Sequence, residues 1–262
     1  MLRQIPKYLE TQQEKNCSEM KKNILITGAS SGIGAYASEY LTNQNYRVII
    51  CGRNADRLME IKNNTNNKET IIKSVDLSCD ENVKEFYKEL KNLDIKLDAI
   101  ICCAGSHIVK PIRISKSQDY IDLFKSNFLT ASNIITNMQK LLNQSSSIVL
   151  LSSAATKKSA AAVSAYVSAK SALDGLLKSS AIEFAPKKIR VNMISPGVVE
   201  TEMTKRFLNS IGEQAAEEVR KGHPLGLGQS KDVCELIEFL ISDKSSWITG
   251  QEIVIDGGFS IN

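Results

Sequence analysis

The chain has 262 residues, of which 42% are hydrophobic and 24% are charged, as in ordinary globular proteins. Its formal net charge is only +4 and its basic residues are scattered, so neither a nucleic-acid partner nor a membrane partner is expected. The six cysteines form no CxxC pair and only two histidines accompany them, which argues against a metal site and suits a cytoplasmic protein with reduced thiols.

Short apolar runs alternate with amphipathic stretches along the chain. The predicted strands are Asn23–Thr27, Arg47–Cys51, Thr70–Val75, Asp98–Cys103, Ser147–Leu151, Ile189–Ile194 and Glu252–Ile255. The predicted helices are Ile33–Gln44, Asp56–Lys62, one ending near Asn92, Gln118–Leu142, one from Ala162 onward and Lys231–Leu240. Continuously apolar strands separated by helices predict a doubly wound α/β fold, in which about seven parallel strands carry helices on both faces.

The domain organisation is expected to be simple. Residues 1–20 are polar and lack the apolar core of a signal peptide, so they are expected to form a flexible N-terminal extension, unless Met20 is the natural start. No apolar stretch approaches about 20 residues, so no membrane-spanning helix is expected. Residues 21–262 contain no repeats or low-complexity linkers and are expected to form one domain.

The turn after the first strand reads TGASSGIG. Glycines there allow a tight turn and let the backbone approach a pyrophosphate, and the following helix N-terminus offers its amides to that anion. Many such turns carry glycine for packing alone, but this one follows a strand and opens a helix at the start of the domain. The predicted dinucleotide-binding residues are Thr27, Gly28, Ser30, Ser31, Gly32, Ile33 and Gly34.

A second motif lies in the predicted helix from Ala162 onward. Tyr166 and Lys170 are four residues apart and therefore project from the same side of that helix, and Ser153 follows the fifth strand. An ammonium beside a phenol lowers the pKa of the phenol, which can then act as general acid or base at a carbonyl or alcohol. Ser153 could hydrogen-bond the same substrate oxygen. Taken alone, the Tyr and Lys spacing also arises by accident on many helices.

Together these motifs resemble the short-chain dehydrogenase/reductase family, in particular its members of the 3-oxoacyl-[acyl-carrier-protein] reductase type. The resemblance covers Lys22 to Asn262 and rests on the glycine turn, Ser153, Tyr166-x-x-x-Lys170, Ser195-Pro196-Gly197 and the ending Asp256-Gly257-Gly258. It implies a Rossmann fold, hydride transfer from NAD(P)H with Tyr166 exchanging the proton, and a homotetramer or homodimer. It also implies that Lys170 lowers the pKa of the phenol and binds the nicotinamide ribose, while Ser153 holds the substrate oxygen.

The resemblance assigns further site residues. Asn127 matches the helix Asn that supports a water-linked proton path to the lysine, although Asn133 and Asn137 lie nearby. Asp76 and Leu77 match an adenine-contacting pair; Ser78 and Glu81 are predicted to form the capping box of the next helix, which leaves the Asp76 carboxylate free. The implied contacts on the nicotinamide side are Pro196, Gly197, Val199 and Thr201.

The end of the second strand favours NADPH over NADH. NAD-binding proteins usually place an acidic residue there for the ribose 2′-hydroxyl, whereas this chain has Cys51-Gly52-Arg53-Asn54. Arg53 offers a planar cation to a 2′-phosphate, and Ser30 could add a hydroxyl. The alternative is a solvated arginine beside a helix capped by Asn54.

One departure from the family pattern follows the fourth strand, where Cys102-Cys103-Ala104-Gly105 replaces Asn-Asn-Ala-Gly. Cofactor contacts are expected from the backbone of Cys103, Ala104 and Gly105. The missing amides remove side-chain hydrogen bonds that brace the sheet, and buried packing of the thiols is favoured over a redox role. His107, in the same loop, either faces the pocket or is solvated.

The expected function is that of an NADPH-dependent oxidoreductase interconverting a carbonyl and a secondary alcohol of a small molecule. Two alternatives stay open: an enzyme that modifies a nucleotide sugar or polysaccharide precursor with the same Tyr and Lys pair, and a non-catalytic dinucleotide sensor. The excursion from Val198 to about Leu227 and the residues after the fifth strand are expected to line the pocket. Their mixed polarity selects no particular substrate.

Overall fold

A parallel sheet of seven strands forms the centre of the computed structural model, which describes residues 21–65 and 69–262. The predicted extension of residues 1–20 lies outside the described residues. The strands are β1 (Asn23–Thr27), β2 (Arg47–Gly52), β3 (Ile71–Ser74), β4 (Leu97–Cys102), β5 (Leu142–Leu151), β6 (Arg190–Pro196) and β7 (Glu252–Ile255). They lie in the order β3-β2-β1-β4-β5-β6-β7, with every neighbouring pair parallel.

Helices cover both faces of this sheet. They are α1 (Gly32–Asn43), α2 (Ala55–Asn64), α3 (Asp80–Asn92), α4 (Ser117–Phe124), α5 (Thr130–Met138), α6 (Ser164–Phe184), α7 (Glu202–Ile211), α8 (Glu213–Lys221) and α9 (Ser230–Ile241). One buried apolar cluster joins the sheet to α3, α5 and α6, and a second joins its other face to α1, α2 and α9. Successive side chains of a strand point to opposite faces, so Leu25 belongs to the first cluster and Ile24 and Ile26 to the second. The predicted doubly wound α/β fold is confirmed.

The strand order positions the site. The chain runs outward from β1 to β3 and then returns to place β4 on the other side of β1. In open α/β sheets of this kind, ligands bind at such a reversal, outside the carboxyl ends of the strands. The turn after β1 and the loop after β4 therefore meet at one edge of the sheet.

The predicted helix Gln118–Leu142 is helical over nearly its whole length, but it is not one regular α-helix. The chain forms α4, then a wider π-helical turn over Lys125–Leu129, then α5, and β5 already begins at Leu142. The side-chain amide of Asn127 donates to the Leu123 carbonyl over 2.9 Å, which is the carbonyl that the Asn127 backbone amide would use in a regular α-helix. Such π turns are frequently found at functional sites.

The predicted capping box of α3 is wrong. This helix begins at Asp80, and its N-cap residue is Cys79, whose side chain makes no capping bond. The Ser78 amide and hydroxyl instead donate to the same oxygen of Asp76, over 3.0 and 2.8 Å. Ser78 therefore forms a local turn with Asp76 rather than capping the helix, and the Asp76 carboxylate is not free of protein partners.

Candidate active site

The glycine turn after β1 packs directly against the loop after β4. Gly28 has a φ of +64°, and a Cβ at this position would lie 2.6 Å from the Ala104 backbone. A Cβ at Gly34 would lie 2.5 Å from the Gly28 carbonyl oxygen. Thr27 Oγ1 accepts a hydrogen bond from the Ala104 amide over 3.2 Å. Only glycine fits these close approaches, so the turn brings bare backbone to the N-terminus of α1.

Two cavities lie at this edge of the sheet, one at the ends of β2 and β3 and one at the glycine turn. The larger one, of about 380 Å³, is lined by Arg53, Lys73, Ser74, Val75, Asp76, Asn82 and Glu85. The smaller one, of about 180 Å³, is lined by Ser30, Ser31, Gly32, Ala35, Glu39, Arg57, Glu60, Ile61, Asn64 and Glu202. Hydroxyls, two arginines and a helix N-terminus suit the phosphates of a dinucleotide, and the open space at the ends of β2 and β3 suits its adenosine. The residues present therefore fit this cofactor.

Arg53 lines the larger cavity, and Asn54 caps α2 by accepting from the Arg57 amide over 3.0 Å. Arg57 was missed by the sequence analysis. Its guanidinium forms an ion pair with Glu202 of α7 over 2.6 Å and thereby bridges α2 and α7 across the smaller cavity. Its position in the first turn of α2, just beyond the carboxyl end of β2, was the available signal, since ligands bind at such strand ends.

Asp76 and Leu77 play different parts in the structure. Two hydrogen bonds from Ser78 hold the pKa of the Asp76 carboxyl below its usual value, so this side chain is anionic at the edge of the larger cavity. Leu77 is 4% exposed and belongs to the apolar core, while its carbonyl accepts from Asn133 over 3.0 Å. A ligand at this edge would meet the Asp76 side chain rather than that of Leu77.

The predicted catalytic side chains come together where β5 ends beside α6. Ser153 follows β5, and its hydroxyl forms a hydrogen bond with Tyr166 that lowers the pKa of the phenol. Desolvation is the larger effect and raises that pKa above its ordinary value. Lys170 is 5% exposed, and its ammonium donates to the Leu151 carbonyl over 2.7 Å. The expected lowering of the Tyr166 pKa by Lys170 is therefore not found in this structure.

Burial also changes the acidity of Lys170. Desolvation lowers its pKa to about 8, while the neighbouring thiols of Cys103 and Cys102 act in the opposite direction. An amine with this pKa exchanges protons near neutral pH far more readily than an ordinary lysine. Tyr166 and Lys170 thus place a phenol and an amine from α6 at the end of β5.

Asn127 completes this cluster from the π turn. It is 1% exposed, its amide donates to the Ser106 carbonyl over 3.0 Å, and its Oδ1 accepts from the Ser106 amide over 3.3 Å. A Cβ at Gly105 would lie 2.5 Å from Asn127 Oδ1 and 3.2 Å from Lys170 Nζ, so both side chains converge on this glycine. Asn133 and Asn137, by contrast, bond to Leu77 and Asp80 near the start of α3.

The two adjacent cysteines at the end of β4, Cys102 and Cys103, are packing residues. Cys102 is 4% exposed within the core cluster, and desolvation raises its pKa. Desolvation likewise raises the pKa of Cys103 to about 12, so neither thiol is an anionic nucleophile at neutral pH. All five cysteines of the described residues are free thiols. The expectation of packing agrees with this geometry.

The loop after β6 closes the nicotinamide side of the predicted site. Pro196 ends β6, and a Cβ at Gly197 would lie 2.8 Å from Asp256 Cα, so this loop lies tightly against the end of β7. Thr201 caps α7 by accepting from the Thr204 amide over 3.2 Å. Its methyl group would lie 3.7 Å from a Cβ at Gly32, which places the start of α7 against the glycine turn. Val199 is buried nearby and forms a bridge to Gly228.

In the described ranges, no helix is long and apolar enough to cross a membrane. No group of three or more His, Cys, Asp or Glu side chains in the same ranges could hold a metal ion.

Comparisons with known proteins agree with this geometry. A family model described as "Enoyl-(Acyl carrier protein) reductase" matches residues 28–260. The "Uncharacterized oxidoreductase YxbG" of Bacillus subtilis is 32% identical over 255 residues, covering 90% of each chain. The "3-oxoacyl-[acyl-carrier-protein] reductase FabG" of Rickettsia felis is 33% identical, covering 90% of this chain and 96% of its own.

Solved structures share the fold. "ElxO with NADP Bound" has a TM-score of 0.83 and 30% identity, covering 93% of this chain and 100% of its own. "4-hydroxyisoleucine dehydrogenase complexed with NADH" has a TM-score of 0.84 and 28% identity, covering 92% and 100%. A short chain dehydrogenase family protein from Francisella tularensis has a TM-score of 0.82 and 26% identity, covering 92% and 100%. Both nicotinamide cofactors thus occur among proteins of this shape.

Proposed function

This chain belongs to the short-chain dehydrogenase/reductase family and is an oxidoreductase, and on that premise we propose that it reduces a carbonyl to a secondary alcohol, or the reverse, with NADPH. The observation that carries the proposal is the convergence of Ser153, Tyr166, Lys170 and Asn127 beside the glycine turn. A proton donor and a dinucleotide-sized groove at one sheet edge are what this reaction requires.

Tyr166 is the general acid in the reducing direction. Its pKa is raised by desolvation, so the phenol is protonated at neutral pH and can donate to the oxygen of a substrate carbonyl. The Ser153 hydroxyl, already hydrogen-bonded to Tyr166, holds the same substrate oxygen. The nicotinamide of the bound cofactor supplies the hydride.

Lys170 and Asn127 serve to return a proton to the phenolate that Tyr166 becomes after it donates to the substrate. Lys170 has a pKa of about 8, so its ammonium can pass a proton toward the phenolate and be reprotonated near neutral pH. Asn127 converges with Lys170 on Gly105, and it would position a water that links Lys170 to solvent. In the oxidising direction the same groups carry the proton away from the alcohol.

The cofactor contacts are assigned to the strand ends around the two cavities. The pyrophosphate would lie on the backbone of Gly28, Ser31, Gly32, Ile33 and Gly34, and the adenosine near Arg53 and Asp76. The ribose and nicotinamide would lie against Thr27, Cys103, Ala104, Gly105, Lys170, Pro196, Gly197, Val199 and Thr201.

NADPH is preferred over NADH because the end of β2 offers Arg53 and no carboxylate. Ser30 adds a hydroxyl beside Gly52, where a Cβ would lie 3.3 Å from Ser30 Oγ. Arg53→Gln is expected to raise the Kd for NADPH about tenfold or more while leaving the Kd for NADH within about twofold, since a charge-assisted bond to phosphate is lost. An equal change for both cofactors would contradict this assignment.

The reaction is tested by NADPH consumption against ketoacyl thioesters, simple ketones and aldehydes, and keto-sugars. Tyr166→Phe is expected to lower turnover by about 100-fold to 10,000-fold, the range of general acid catalysis, with little change in NADPH affinity. Tyr120→Phe is the matched control, because the Tyr120 hydroxyl bonds Ser164 at the start of α6 over 2.9 Å and has no place in the proton path. Retained turnover in Tyr166→Phe would refute the mechanism; tight NADPH binding without turnover of any substrate would favour a sensor.

Further properties follow from the same proposal. Residues 21–262 form one catalytic domain, and the substrate is a small-molecule carbonyl or alcohol. Exposed apolar side chains on α4 and α6, namely Ile121, Phe124 and Ile182, support assembly into a homotetramer, which light scattering would measure. Free thiols support a cytoplasmic location, since they persist in reducing compartments.

A further inference from the structure

His107 lies between the proposed catalytic tyrosine and a helix at the mouth of the site. It follows Gly105 by two residues in the loop after β4. Its ring centroid is 4.6 Å from that of Tyr166 and 5.3 Å from that of Phe207 on α7. Both contacts are edge-to-face, with interplanar angles of 78° and 79°. The imidazole is therefore fixed between two rings that it meets at nearly right angles.

The chemistry of this imidazole goes beyond packing. The side chain is half-buried, and desolvation lowers its pKa, so the ring is neutral at pH 7 with one N–H donor and one acceptor nitrogen. Neither nitrogen has a hydrogen-bond partner among residues 21–65 and 69–262. A phenylalanine would make the same two edge-to-face contacts. The two nitrogens are what histidine adds at this position.

We propose that His107 is a specificity-determining residue, whose imidazole hydrogen-bonds a second polar group of the substrate, adjacent to the carbonyl that Tyr166 protonates. This inference rests on the proposed carbonyl reduction. Because the two ring centroids are only 4.6 Å apart, a small molecule whose carbonyl oxygen meets Tyr166 brings the group next to that carbonyl within reach of His107. The preferred substrates are thus carbonyl compounds that carry a neighbouring hydroxyl or second carbonyl.

Matched ketone pairs test this assignment in the full chain with NADPH. Hydroxyacetone is compared with 2-butanone, and 2,3-butanedione with 3-methyl-2-butanone, so that each pair differs in one polar group at nearly constant size. His107→Phe keeps the ring contacts and removes both nitrogens. It is expected to lower kcat/KM about tenfold for the polar member of a pair, mostly through KM, and less than about twofold for the apolar member. His107→Gln, which restores a donor and an acceptor, is expected to recover part of the loss.

Two results would overturn the assignment: equal losses for both members of each pair, which would mean packing alone, or a wild-type enzyme without preference for the polar members. The proposed function has a separate readout in the same assay. Turnover of 2-butanone that persists in His107→Phe and disappears in Tyr166→Phe would leave carbonyl reduction intact while the specificity claim fails. No turnover of any ketone or of the wider carbonyl panel would overturn both.

Discussion

Gly105 is the position at which one added methyl group should disrupt the proposed proton path. In Gly105→Ala the new Cβ would lie 2.5 Å from Asn127 Oδ1 and 3.2 Å from Lys170 Nζ, both shorter than the 3.4 Å at which ordinary van der Waals contact begins. The Asn127 amide is held by Ser106 through bonds of 3.0 and 3.3 Å and must leave both to make room. At about 1 kcal/mol for each bond, the folded state loses about 2 kcal/mol, which lowers Tm by about 4–8 °C for a domain of this size.

The catalytic effect should exceed the effect on stability. A displacement of about 1 Å in a positioned group can cost about 100-fold in rate, so kcat of Gly105→Ala is expected to fall by about 10-fold to 100-fold. Steady-state kinetics and thermal unfolding measure both effects. Gly175→Ala is the matched control, because Gly175 lies in α6 and no atom lies within 4 Å of an added Cβ. This variant should keep the wild-type kcat, and its free energy of unfolding should rise by about 0.5–1 kcal/mol. Wild-type kcat in Gly105→Ala, or an equal loss in Gly175→Ala, would refute the reasoning.

Three further predictions concern Lys170, the adjacent cysteines and Gly34. Between the folded pKa of Lys170, about 8, and its unfolded value of 10.5, the unfolded state binds more protons, so this group makes stability rise with pH. In urea unfolding, the free energy of unfolding of the wild type should therefore increase relative to that of Lys170→Met by on the order of 3 kcal/mol as pH rises through that window. A difference between the two proteins that stays constant with pH would contradict this prediction. Cys102→Ser puts a hydroxyl into the core and should lower the free energy of unfolding, measured in the same way, by about 1–3 kcal/mol. Cys103 is partly exposed, so Cys103→Ser should lower it by less than about 1 kcal/mol. Equal losses in the two variants would argue against the packing interpretation. Gly34→Ala places a Cβ 2.5 Å from the Gly28 oxygen, which should distort the glycine turn. Fluorescence titration should then show that the Kd for NADPH rises by at least about tenfold. An unchanged Kd would contradict the assignment of this turn to the cofactor.

The sequence determined the sheet, the alternation of helices and the positions of the glycine turn, Ser153, Tyr166 and Lys170. These features follow from local signals: continuously apolar runs form buried parallel strands, and residues four apart share one side of a helix. The strand ends then collect the motifs at one edge, whatever the details of the loops. For the same reason the predicted strands agree closely with β1, β2 and β7.

Only the tertiary structure decided how the side chains of the site interact. Asn127 lies in a π turn because its amide takes the Leu123 carbonyl and is held by Ser106 from the loop after β4. The pKa of Lys170 depends on burial against β5, which no spacing of residues encodes.

The ion pair of Arg57 with Glu202 and the ring contacts of His107 with Phe207 join residues that are about a hundred or more positions apart in the chain. Local pattern fixes which elements form and where their ends lie. The acidity, contacts and orientation of the groups at those ends arise from packing between distant segments, which no local pattern encodes.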